Sequence, residues 1–103
     1  MAITQIRREQ LLAVRYDFLK WLEEEHKGRT NSIMARDMKR WGNDREVRFI
    51  VHQLRVEGHP IGSYSKGYYY ATTEWEIEDT MEFVLASHRR EAYEGLKKSK
   101  LLL

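Results

Sequence analysis

The chain has 103 residues, enough for one domain and too few for two. Cysteine is absent, which excludes disulfides, thiolate metal sites and cysteine nucleophiles. Eighteen basic residues against 16 acidic ones give a net charge of +2, too small to point to a partner before its distribution is read. No apolar run approaches the roughly 18 residues of a membrane span, so no membrane association is expected. Residues Met1 to Arg8 show no apolar signal core before their charges, and a cytoplasmic location is expected.

Glycine divides the chain. All but one of the six glycines lie between Gly28 and Gly67. Leu11, Val14, Phe18, Trp21 and Leu22 recur at steps of three and four, which predicts an amphipathic helix over 5–27 ended by Gly28. Leu12, Tyr16 and Leu19 widen its apolar stripe. A short second helix is expected over 32–40, capped by Thr30, Asn31 or Ser32 and broken by Gly42. Ile33, Met34, Met38 and Trp41 would face inward. Asn43 and Glu46 have the spacing of a capping box, opening a third helix over 44–57. Val47, Ile50, Val51 and Leu54 form its single apolar face.

Aromatic stretches around Ser65-Lys66-Gly67 predict a β-hairpin over 60–72. Thr73 and Glu76 make a second capping box, opening a long helix over 74–98. Ile77, Met81, Val84 and His88 step by 4, 3 and 4, a seam suited to another helix. The expected fold is mainly α with a small β-hairpin, one domain with its core over 5–73, the last helix over 74–98 and a short tail over 99–103.

Charge is unevenly distributed. Residues 29–70 hold eight basic and four acidic side chains, whereas residues 1–28 are balanced and residues 71–103 carry net −2. A short helix, a tight glycine turn and a second helix make a helix-turn-helix unit, and a hairpin directly after it makes the winged variant. The residues Ala35-Arg36-Asp37-Met38-Lys39-Arg40-Trp41-Gly42, then Arg45-Glu46-Val47-Arg48 and Leu54-Arg55-Val56-Glu57-Gly58, resemble the winged helix-turn-helix pattern. The stretch from Gly58-His59-Pro60-Ile61-Gly62-Ser63 to Lys66-Gly67-Tyr68-Tyr69-Tyr70 resembles the wing of its phage-type members and is similar to the DNA-binding domain of the biotin repressor. The resemblance covers about residues 8–75 and leaves the last helix as an addition. In one departure from the pattern, Asn43 and Asp44 follow Gly42 at once, so the turn is one residue short.

The resemblance implies a small double-stranded-DNA-binding protein, a repressor or a replication or packaging accessory of phage or mobile-element type. A major groove about 12 Å wide admits one helix. Residues 44–57 would enter it, with Asn43, Arg45, Arg48, Phe49, His52 and Arg55 as contacts. Arg36, Lys39 and Arg40 would hold phosphates from the preceding helix, and Tyr64, Ser65 and Lys66 from the wing. Periodicity directs Arg45, Phe49, His52 and Val56 outward, flanked by Arg48 and Arg55. Phe49 and Val56 sit oddly on a groove-reading face, so a module that docks on a host or phage protein is the alternative. No cofactor, metal site or enzyme activity is expected: the four histidines lack ligand spacing, and no phosphate-binding glycine loop or nucleophile motif occurs. Surplus apolar residues on the last helix, Phe83, Leu85, Tyr93 and Leu96, suggest a homodimer interface. Its two-fold axis would set DNA half-sites about 34 Å or a multiple apart.

Overall fold

A computed structural model describes residues 2–65 and 67–103. Helix α1 (Gln5–Ala13) starts at Thr4, whose hydroxyl accepts from the Arg7 backbone N–H at 3.1 Å. At Val14 the backbone leaves the helical region, and α2 (Arg15–Glu25) begins. The single helix expected over 5–27 is therefore two. Arg15 lies at the break: it donates to the Leu12 carbonyl at 2.7 Å and to Glu57 at 2.9 Å, so a side chain takes up an acceptor that the interrupted ladder releases. Gly28 does not cap the helix. The chain from His26 to Gly28 runs beside Tyr70 instead, with the Gly28 N–H donating to the Tyr70 carbonyl at 2.8 Å.

The helix expected over 32–40 is also corrected. That stretch holds strand β1 (Ile33–Met34) and one 3-10 turn, Ala35–Asp37. β1 pairs with Gly67 and Tyr68. A Cβ at Gly67 would stand 3.1 Å from the Ile33 carbonyl oxygen, so glycine lets the two strands close up. The few residues left before Gly42 are too short to repay helix nucleation. Ala35 and Met38 are still buried.

Helix α3 (Asp44–Val56) follows, with both hydrogen bonds of the Asn43–Glu46 box formed and Val47, Ile50, Val51 and Leu54 buried. Strands β2 (Ile61–Tyr64) and β3 (Gly67–Tyr70) form the hairpin, and the antiparallel sheet has the order β1-β3-β2. Thr73 caps α4 (Glu74–Ala86) through the second box. The long last helix is then broken: His88 sits at φ 58°, and α5 (Arg90–Ser99) packs back on α4. The break follows from burial. Ile77, Met81 and Val84 share one apolar cluster with Ala92, Leu96 and Tyr69, which requires the chain to turn between them. The seam is thereby used within the chain, and His88 is exposed.

The sheet separates two parts of the core. Ile61 packs with the residues of α1, α2 and α3, and partly buried Tyr68 and Tyr70 lie against them. Tyr69 points to the α4–α5 side, as strand alternation requires. The Tyr69 ring passes so close to Gly62 that a Cβ there would meet it at 2.3 Å. Helix α5 lies between α3 and α4. Gly95 makes this possible, since its Cβ would fall 1.6 Å from the Arg55 carbonyl oxygen. Among the described residues no helix is long and apolar enough to cross a membrane.

Candidate nucleic-acid interface

The start of α3 is fixed before any ligand is considered. Asn43 accepts from the Glu46 N–H at 2.8 Å, and Glu46 accepts from the Asn43 N–H at 2.9 Å. The second Glu46 oxygen accepts from Arg7 Nε at 2.6 Å and ties α1 to α3. The Arg7 hydrogen bond, then that from Asn43, hold the Glu46 carboxyl below the usual range. Asn43 thus uses its side-chain oxygen in the cap and does not offer it outward.

Beyond the cap, Arg45 and Arg48 are exposed, and Arg48 pairs with Asp44 at 3.3 Å. They border an open depression of about 410 Å³ together with Ile3, Arg8, Phe49, His52 and Arg89. Four guanidinium groups from three separate segments therefore surround Phe49 and His52. Among the described residues, Arg8, Arg45 and Arg89 form no ion pair. The Arg8 guanidinium carbon lies 5.8 Å from the Phe49 ring centre. Burial first, and then the nearby positive Arg89, push the His52 imidazole below its usual pKa, against an opposing pull from Glu91. The neutral form of His52 is thereby favoured.

Arg36 and Lys39 are exposed beside Gly42, Asn43 and Asp44, on a second depression at the start of α3. Arg40, also exposed, lies over the Trp41 ring at 4.8 Å. Tyr64 is exposed at the hairpin end and stacks on Arg29 at 3.8 Å. Ser65 is exposed at φ 49°. Lys66 lies outside the described residues.

Arg55 corrects the expected surface. It is only 6% exposed. Its Nε donates to the Ile61 carbonyl at 2.9 Å and its Nη2 to Ser63 Oγ at 2.8 Å, so it holds the hairpin to α3. Burial lowers its pKa to about 10, still high enough to stay charged at neutral pH. Phe49 and Val56 are half-buried and not fully exposed. Phe49 packs against the core beside Arg8, and α5 covers the far end of α3. The proposed dimer residues also divide. Phe83 and Leu85 are exposed, whereas Leu96 is fully buried and cannot join a surface patch with them, and Tyr93 is partly buried against the α4–α5 cluster.

Sequence reasoning missed Arg8 and Arg89. Arg8 is indistinguishable by pattern from Arg7, which is consumed by Glu46. Arg89 could have been found from Ser87-His88-Arg89-Arg90, a run with no apolar residue that marks the turn between α4 and α5. Among the described residues no group of three or more potential ligands could hold a metal ion. Comparison with protein-family models, curated proteins and solved structures finds no match in any of the three.

Proposed function

We propose that the protein binds duplex DNA through the first two turns of α3, in the manner of a winged helix-turn-helix domain. The observation that carries this is the convergence of Arg8, Arg45, Arg48 and Arg89 around one exposed stretch of helix. Guanidinium groups suit phosphate oxygens and the edge of guanine, and the N-terminal residues of a recognition helix are the ones that meet bases. Arg45 and Arg48 are assigned to the groove. Arg8 and Arg89, on either side, are assigned to phosphates, with Arg36 and Lys39 beside the helix start.

Connectivity supports the same reading. A helix, a strand, a short helical turn, a helix and a hairpin succeed one another, and β3 is the central strand. The first helix of the usual pair is reduced to the Ala35–Asp37 turn, so the positioning contacts come from a loop. Lys66 at the wing is assigned to phosphate on sequence grounds alone. The half-buried state of Phe49 and Val56 reduces the apolar surface that docking to a protein through α3 would use, which favours the duplex reading.

The test is fluorescence anisotropy of a labelled random duplex at about 50 mM salt, where phosphate contacts are strong. Binding is expected, weakened when Arg45 and Arg48 are both replaced by alanine. No duplex affinity at that salt would overturn the proposal.

A further inference from the structure

The outer side of α4 carries exposed apolar surface. Ile77, Thr80, Met81 and Val84 take the inner arc and are buried. The outer arc carries Trp75 and Phe83, 59% and 61% exposed. Around them stand Glu74, Glu78, Asp79 and Glu82, all exposed. Asp79 pairs with Arg29, and the other three have no ion pair among the described residues. The Arg29 guanidinium lies 4.8 Å from the Trp75 ring centre, yet both aromatic side chains stay largely open to water on an acidic helix and form a surface that calls for a cover.

The chain carries a surface of complementary chemistry. At the end of α5, Lys97 and Lys98 are exposed, followed by Leu101 and Leu102 at 87% and 70% exposure. This end lies beside the start of α4, where Glu74 borders the same depression as Lys97, Lys98 and Leu101. Phe83 is eight residues beyond Trp75 and therefore about 12 Å farther along the helix. The lysines of one chain thus stand at the Trp75 end and leave Glu82 and Phe83 uncovered.

We infer that α4 is the interface of a two-fold homodimer in which the two α4 helices run antiparallel. That arrangement sets Trp75 of one copy beside the Phe83 end of the other. It also brings each lysine-bearing end of α5, with Leu101 and Leu102, to the partner's Glu78–Glu82 side. A parallel pair would instead oppose Glu82 to Glu82 and leave the lysines at the wrong end, which like-charge repulsion disfavours. The interface uses side chains other than the four of the arginine cluster, although its Phe83 end adjoins Arg89, whose backbone N–H donates to the Val84 carbonyl at 3.2 Å.

The test is light scattering of the full chain without DNA, from micromolar to near-millimolar concentration. A dimer is expected, and Phe83→Ser should weaken it by about tenfold or more, equivalent to about 1.4 kcal/mol. Lys97→Glu with Lys98→Glu, or Glu78→Lys with Glu82→Lys, should each yield a monomer under conditions where the unaltered chain is dimeric. Combining all four changes in one chain should restore the dimer. A monomeric mass for the unaltered chain at every concentration overturns the inference without recourse to any variant. A dimer indifferent to the charge changes, or one that the four-fold exchange fails to restore in a chain with native circular dichroism, overturns it as well.

Discussion

The two halves of α3 differ more than their sequences do. Arg48 and Arg55 are seven residues apart and project in nearly the same direction from the helix. Arg48 is exposed and, among the described residues, pairs with Asp44 alone. Arg55 is buried, bonded to Ile61 and Ser63, and overlain by the backbone approach of Gly95. The same residue type thus works as a surface cation in one half and as an internal strut in the other. What decides is not the helix but what covers it: the far half lies under α5 and the hairpin, and the near half faces the open depression.

The strongest way to break this contrast is at Gly95. Helix propensity alone would make Gly95→Ala stabilising by about 1 kcal/mol. The close approach to the Arg55 carbonyl reverses the sign, and a loss of about 3 kcal/mol is expected from overpacking. Urea unfolding measures it; a midpoint that rises would show that α5 does not press on α3. Next in size is Arg55→Met, which leaves the Ile61 carbonyl and Ser63 hydroxyl without their donor and should destabilise by about 2 kcal/mol. Arg48→Ala, in contrast, should stay within about 0.5 kcal/mol. Equal effects from the two substitutions would erase the distinction between the halves.

Smaller effects sharpen the near half. Asn43→Ala removes the cap and should lower stability by about 1 kcal/mol, read from the thermal midpoint. Acid should act through Glu46, whose folded-state pKa lies below the unfolded value of about 4.3. Its contribution is fully present above that value and is lost as pH falls through the folded one. Glu46→Gln should therefore flatten the acid slope of stability, and an unchanged slope would remove Glu46 as its source. For His52, whose charge is disfavoured by burial and by Arg89, a bound phosphate nearby should raise the titration midpoint, observable by NMR on adding duplex. A midpoint that stays put would separate His52 from the bound DNA.

Much of this was legible from residues alone. The Asn43 and Thr73 boxes, the apolar face of α3 and the hairpin are local patterns that tertiary structure had no reason to overrule. The break at Val14 was not legible, because the apolar period runs on through it, and the break at His88 was marked only by the run Ser87-His88-Arg89-Arg90, which lacks an apolar residue. β1 is too short to show alternation and depends on Gly67, far away in sequence. Arg55 was misread because periodicity gives a direction on a helix and not the depth of what lies there. The neglected signal was Gly95, a lone glycine within a helical segment, which marks a close backbone approach.

Salt dependence of duplex binding tests the role of the near half most directly. Arg8→Ala, Arg45→Ala and Arg89→Ala should each reduce the slope of log affinity against log salt by about 0.9 for every phosphate contact removed. Phe83→Ser, measured at a concentration where the protein is monomeric, should leave the slope unchanged. Slopes identical to that of the unaltered chain in all three arginine variants would show that the cluster around Phe49 does not meet DNA.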